Sequence, residues 1–202
     1  MCNHFRIARK YELKKRAESQ QETRRRIVEA AIELHRTQGP ARTTLSEVAR
    51  LAGVQRHTLY RHFPDERALG VACSGTYAEA NPPPDPEPWL RVRDPQERLR
   101  VGLAELYAFF ARNEEMLGNV LRDLEVDPIT RELFQLRFAA IERIQAILAD
   151  GIRGRRRLAA LELALDFHTW RRLVRLSGLT QREAVELMVQ AVFCGADHRR
   201  HT

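Results

Sequence analysis

Gln55, Arg56 and His57 are followed at once by Thr58, Tyr60, Arg61 and His62, with Thr44 and Ser46 a short way upstream. These side chains suit the edges and backbone of a DNA duplex. Gln can pair bidentately with adenine and Arg with guanine. Thr, Tyr, Arg and His can hydrogen-bond to phosphates, which fix register rather than sequence. Thr44 can offer its hydroxyl, and the free amides of a helix that starts there, to another phosphate. The alternative for His57 and His62 is an ordinary surface or packing histidine. Bond-making chemistry has no comparable set of residues. Beyond residue 67 the only serines are Ser74 and Ser177, and no His/Cys/Asp spacing suggests a nucleophile or a metal. No catalytic residue, metal or cofactor is therefore expected.

Spacing predicts the elements that would carry these side chains. Ile27, Ala30, Ala31 and Leu34 recur at helical intervals, predicting a helix from about Thr23 to Gln38. Gly39-Pro40 ends it. Thr44 with Glu47 three residues on fits a capping box, and Leu45, Val48, Ala49 and Ala52 form the buried stripe of a second helix. Gly53 takes the turn, where a positive φ is easiest without a Cβ. Val54, Leu59 and Phe63 then anchor a third helix. The pair forms a helix-turn-helix, whose second helix lies in the major groove and reads bases near its N-terminus.

Charge falls where this motif falls. The net charge of +7 is confined to residues 1–67, which hold 15 Lys+Arg against 8 Asp+Glu, whereas residues 68–202 hold 19 of each. A basic field of this kind speeds encounter with a polyanion and supplies non-specific affinity. Cys2, Cys73 and Cys194 are odd in number and far apart, which fits a reducing, cytoplasmic setting without disulfides. No apolar run approaches the roughly 18 to 20 residues of a membrane span, and residues 1–26 lack the apolar core of a signal peptide.

The remaining sequence predicts an all-α chain in four parts. Residues 1–22 form a basic N-terminal arm, a flexible tail or an induced helix, able to follow a phosphate backbone or lie in a minor groove. Residues 23–80 form the head, including a fourth helix from about Asp65 to Glu79. Residues 81–93 form a linker, since five prolines between Pro82 and Pro88 remove amide donors and fix φ. Residues 94–202 form a helical body. Its helices open at Asp94-Pro95 and Asn113, run from about Asp127 to Asp150 and from about Arg156 to Leu176, and end with one that starts at Thr180.

Residues 23–72 resemble the N-terminal domain of the TetR family of bacterial transcriptional regulators. The residues that carry the likeness are Ile27, Ala30, Ala31, Leu34 and Gly39, then Thr44-Leu45, Glu47-Val48-Ala49, Ala52-Gly53-Val54, Thr58 through Phe63, and Leu69. Leu163 through Trp170 and Gly178 through Val185 resemble the last two helices of such regulators, which build a four-helix bundle with a partner subunit. The resemblance implies a three-helix head on a regulatory and dimerisation body. It also implies a homodimer on a pseudo-palindromic double-stranded DNA operator, and a repressor released by a small-molecule ligand. One position departs from the pattern. Three residues after Phe63 the family places a phosphate-contacting Lys, and here Glu66 stands there, followed by Arg67. Either Arg67 takes over the contact or Glu66 only caps the fourth helix.

The body offers two sets of candidates. Tyr107, Phe110, Met116, Phe134, Phe138, His168 and Trp170 could line a ligand pocket, though aromatics at helical spacing also make plain core. Leu161, Leu165, Ala184, Leu187, Met188, Ala191 and Val192 give two helices more apolar surface than one neighbour covers, as a twofold partner would require. Two other readings are an enzyme with a helix-turn-helix appendage, such as a recombinase, and a helical interaction protein with vestigial DNA binding. A regulator without a small-molecule ligand is a third.

Overall fold

The computed structural model describes residues 2–136 and 138–194, and the side chains of all of these except 2–11, 13, 138, 139 and 194. Every regular element among them is helical, as the all-α reading expects. The chain divides into two compact units. One comprises Met1–Ala80 with Gly118–Leu133, and the other Asn81–Leu117 with Phe134–Thr202.

The first unit is built on α1 (Cys2–Thr37), which continues upstream through the stretch read as arm or induced helix. Ile27, Val28, Ala30 and Ala31 are buried along one face of it. They pack with Val48 and Ala49 of α2 (Leu45–Leu51), Leu59 of α3 (Arg56–His62), Phe63, and Leu69 and Cys73 of α4 (Glu66–Ala80). Two of these helices start where the sequence supplies a side-chain cap. Thr44 Oγ1 accepts from the Glu47 amide at 3.2 Å while Glu47 Oε2 accepts from the Thr44 amide at 2.9 Å. Asp65 Oδ1 accepts from the Ala68 amide at 2.7 Å.

Residues 118–133 belong to this unit rather than to the body. The reason lies at the end of α1, whose last carbonyls have no partner within the helix. Asn119 Nδ2 donates to Arg36 O at 2.6 Å, and Arg122 Nη2 to Gln38 O at 2.8 Å. Asp123, buried, accepts from the Ala41 amide at 3.0 Å. These side chains sit on α6 (Glu114–Asp123). Gly70 then leaves room on α4 for Leu133 of α7 (Pro128–Gln135), whose Cδ1 would lie 2.7 Å from a Cβ there.

The second unit is a bundle of α5 (Pro95–Arg112), α8 (Phe138–Ala149), α9 (Arg155–Leu165), α10 (Phe167–Arg171) and α11 (Gln181–Cys194). Leu99, Leu103 and Tyr107 of α5 are fully buried in it. Two long predicted helices are interrupted. Asp166 takes an extended backbone and caps α10, accepting from the Thr169 amide at 2.6 Å, so α9 cannot run on. A π-helical turn follows at Arg172–Leu176. The helix predicted from Asp127 to Asp150 is α7 and α8. The proline stretch is also less of a free linker than its composition suggests. Glu87–Arg91 forms a 3-10 turn that buries Trp89 to 1% exposure.

Candidate nucleic-acid interface

The capping box that starts α2 and the turn at Gly53 set the position of α3. Gly53 lies at φ +64, the left-handed region that favours glycine. The first turn of α3 presents Gln55, Arg56 and His57 to solvent, and Tyr60 and Arg61 follow on the exposed side while Leu59 is buried beneath. Arg56 and Tyr60 are coupled: Nη2 lies 3.3 Å from the Tyr60 hydroxyl, and the guanidinium carbon 5.8 Å from the ring centroid. His57 Nε2 lies 3.3 Å from Thr58 Oγ1. Pairing of this kind holds long side chains in place before a partner arrives and lowers the ordering cost of binding.

Other predicted contact residues sit differently. Ser46 is exposed on α2. Thr44 is exposed too, but its hydroxyl donates to Glu47 Oε2 at 2.8 Å. His62 is half-buried. Burial, and after it the neighbouring Arg61 and Arg24, hold its pKa below the ordinary imidazole value, so at neutral pH it carries no charge for a phosphate. Arg67 meets Glu132 side-on, its Nε 3.0 and 3.1 Å from the two carboxylate oxygens. Thus neither answer to the missing lysine is a free cation: Arg67 is paired, and Glu66 stands exposed in the first turn of α4, where a carboxylate suits the helix dipole.

Two arginines that the sequence reading passed over help to build this surface. Arg26 Nη2 donates to Ala52 O at 2.7 Å and to Gly53 O at 3.2 Å. Arg24 lies with its guanidinium carbon 4.8 Å from the Phe63 ring centroid. The run Arg24-Arg25-Arg26 was the available signal. Helical spacing puts its members on different faces, so only tertiary contacts assign them. Arg25 instead pairs with Glu22 and Glu29 of α1.

In the second unit the aromatic candidates converge in part. Tyr107, Phe110 and Trp170 are buried together with Phe167, which the sequence reading omitted. Ring centroids lie 5.6 Å apart for Phe110–Phe167, edge-on, 5.8 Å for Phe110–Trp170 and 5.5 Å for Phe167–Trp170. The Tyr107 hydroxyl donates to Ala164 O at 3.0 Å. Trp170 Nε1 is buried with no acceptor. Met116 is buried and Phe134 half-buried, whereas His168 is exposed and so does not face the cluster core. The Phe138 side chain lies outside the described residues.

The candidate interface residues also divide. Leu161, Ala184 and Val192 are buried within the unit, which removes them from any surface; they belong to the contact between α9 and α11 and their neighbours. Leu187 and Ala191 are exposed, and Leu165 and Met188 half-buried. Leu158 and Leu163, both exposed on α9, were not among the candidates.

A buried three-helix core that presents a polar, basic second helix defines a helix-turn-helix protein. Residues 27–73 match the sequence model of bacterial regulatory proteins of the TetR family. Through that stretch the chain is similar to regulators of the TetR family. The helix-turn-helix-type transcriptional regulator TtgR of Pseudomonas putida is 44% identical over 64 residues, covering 32% of this chain and 30% of that protein. The chain thus spans about 30% of the length of the curated relatives it matches. Solved structures share the fold more widely. The TetR-family regulator PfmR of Thermus thermophilus superposes with a TM-score of 0.61 at 23% identity, over 83% of this chain and 94% of its own. The regulator FadR of Bacillus subtilis, solved with stearoyl-CoA, gives 0.56 at 16% identity, over 83% and 97%. No helix among the described residues is long and apolar enough to cross a membrane, and no cluster of His, Cys, Asp and Glu among them could hold a metal ion.

Proposed function

We propose that this chain is a sequence-specific DNA-binding transcriptional regulator with no catalysis of its own, acting in the cytoplasm. One observation carries the reading: Gln55, Arg56, His57, Tyr60 and Arg61 are exposed together on α3 above a closed apolar core. Gln55 and Arg56 read base edges, while His57, Tyr60 and Arg61 hold phosphates. Thr58 and Ser46 are secondary contacts. Selection of bound fragments from sheared genomic DNA by the purified chain tests this. A recurrent sequence motif is expected, and Arg56→Ala with Tyr60→Ala should abolish its enrichment. No motif, or one that survives the double substitution, overturns the reading.

The regulator acts as a homodimer and as a repressor released by a small molecule. Leu158, Leu163, Leu187 and Ala191 leave apolar surface exposed on α9 and α11, and a twofold partner would cover it. A pseudo-palindromic operator then follows, with half-sites one helical turn, roughly 34–36 Å, or a multiple of it apart. Leu187→Glu should shift sedimentation equilibrium toward monomer. The ligand reading is supported by the Trp170 Nε1 hydrogen, buried among aromatic rings without an acceptor. A ligand acceptor there would satisfy it, and only a ligand with different affinity for the DNA-bound and free states could cause release.

A further inference from the structure

The aromatic cluster of the second unit has a charged cover. Arg175 places its guanidinium carbon 5.5 Å from the Trp170 ring centroid. The same guanidinium binds Glu114: Nε donates to Oε2 at 2.8 Å, and Nη2 lies 2.7 Å from that oxygen. Arg171 approaches the other oxygen, Nε to Oε1, at 3.5 Å. Two guanidiniums thus share one carboxylate, which leaves a positive excess beside Trp170. The backbone is shaped for this. In an unbroken α-helix, residues five apart point about 140° from one another. Here the Ser177 amide donates to Arg172 O, five residues back, in the π-helical turn Arg172–Leu176. The wider turn brings Arg175 back toward the face of Trp170, and such turns often mark functional sites.

Two features make this cover exchangeable. The Arg171 and Arg175 side chains are 52% and 48% exposed, and ion pairs open to water hold weakly. Beside them Trp170 is fully buried, and its Nε1 hydrogen has no acceptor. A buried donor left unpaired is costly. Glu114 is tethered in the first turn of α6 and does not reach that hydrogen. Asp166 is committed to the Thr169 amide at 2.6 Å. A free carboxylate is under neither restraint. Its two oxygens offer about four lone-pair sites, enough for both guanidiniums and the Nε1 hydrogen.

We propose that Glu114 occupies the seat of a ligand's carboxylate. The second unit binds a small aromatic carboxylic acid, whose carboxylate displaces Glu114 from Arg171 and Arg175 and accepts from Trp170 Nε1. Its ring joins those of Phe110, Phe167 and Trp170, whose centroids lie 5.5 to 5.8 Å apart, a spacing at which tilted and edge-on rings attract. This deepens the small-molecule reading above and rests on it. It adds that the ligand is an anion and that the chain carries its own competitor. Without ligand, Glu114 neutralises part of the cationic cover. With ligand, Glu114 is released to solvent at the start of α6.

Benzoate and benzamide, alike in size and different in charge, test the proposal on the full chain. Trp89→Phe leaves Trp170 as the sole tryptophan. Its emission then follows binding at millimolar concentration, the range a fragment of this size reaches. Calorimetric titration of the chain with Trp89 intact reads the same affinities. Benzoate should bind about tenfold more tightly than benzamide. Arg175→Gln should weaken benzoate about tenfold, the worth of a hydrogen bond to a charged group, and leave benzamide unchanged. Glu114→Gln should tighten benzoate about threefold to tenfold, because it removes the competitor; a carboxylate with a merely structural role would give a loss instead. Arg143→Gln removes the same charge from an exposed pair with Glu87 and should leave both probes unchanged. Circular dichroism melting checks that each variant is folded. Equal affinity for the two probes, or benzoate affinity that Glu114→Gln lowers, overturns the anionic ligand and leaves the small-molecule reading standing. A loss for Arg143→Gln equal to that for Arg175→Gln would also overturn it, as an effect of net charge alone. No response to either probe, in the parent chain or in Glu114→Gln, sinks this inference together with the ligand reading it rests on.

Discussion

Arg26 Nη2 donates to both Ala52 O and Gly53 O, so a side chain of α1 clamps the turn that sets α3. Gly53 supplies the positive φ and Arg26 supplies the donor for the carbonyls the turn leaves over. Arg26→Met keeps the aliphatic stem and removes the donor. It should lower stability by about 1–3 kcal/mol, measured by urea unfolding. It should also weaken DNA binding, although Arg26 itself needs no contact with DNA. An unchanged unfolding midpoint would show that water replaces the clamp without cost.

Arg67 tests how the missing lysine is handled. Its pKa is raised above the ordinary value chiefly by the hydrogen bonds to Glu132, with the Coulombic attraction of the same carboxylate second. A guanidinium committed to that carboxylate is a poor phosphate anchor. Arg67→Gln should therefore leave the affinity and salt slope for duplex DNA close to wild type. Glu66→Lys should instead steepen the slope, because it restores a cation where the family places one. A marked affinity loss for Arg67→Gln would mean that it leaves Glu132 when DNA arrives.

The head was legible because its determinants are local. The Thr44–Glu47 capping box spans three residues, the Gly53 turn is one residue, and the stripe from Ile27 to Leu34 is a single helical face. What stayed hidden depends on partners distant in sequence. Asp123 receives the Ala41 amide from 82 residues away, and Arg67 meets Glu132 across 65. Neither spacing leaves a pattern to read. Asp166 shows a different failure. Its neighbours are good helix formers, so periodicity carried a helix through it, but its carboxylate captures the Thr169 amide and restarts the chain as α10. Trp89 is similar: the prolines around it argued for an open linker, and burial of a large indole outweighs that composition.

Packing in the second unit gives a sharper stability test. Gly102 of α5 faces Leu148 of α8, and a Cβ at Gly102 would lie 2.5 Å from Leu148 Cδ2 and 3.0 Å from Cδ1. Both residues are buried, so Leu148 has little room to rotate away. Helix propensity favours Ala over Gly by about 1 kcal/mol, but overpacking a filled core costs about 1–3 kcal/mol. Gly102→Ala should therefore leave stability unchanged or lower it by up to about 2 kcal/mol. Gly102→Ala combined with Leu148→Ala should be less destabilised than the sum of the single variants, by calorimetry or urea unfolding. Strict additivity would mean that the two positions do not share space.

His35 supplies the pH test. Burial lowers its pKa from the ordinary 6.5 to about 4, outweighing Asp127 and then Asp123, which act to raise it. The folded chain thus holds His35 neutral while the unfolded chain protonates it near its ordinary value. Between about pH 6.5 and about 4 the unfolded state binds the extra proton, so stability falls as pH falls through that window and levels off below it. The full effect is about 3 kcal/mol. The site lies at the end of α1, where Asn119 and Arg122 hold the last carbonyls and Asp123 binds the following loop. His35→Gln removes the titration and keeps a polar side chain. Urea unfolding at about pH 7 and about pH 4.5 should then give a smaller stability difference for the variant than for wild type, by about 2 kcal/mol. The same pH difference in both proteins would place His35 in water in the folded state, and would leave the acid sensitivity of this corner to its carboxylates alone.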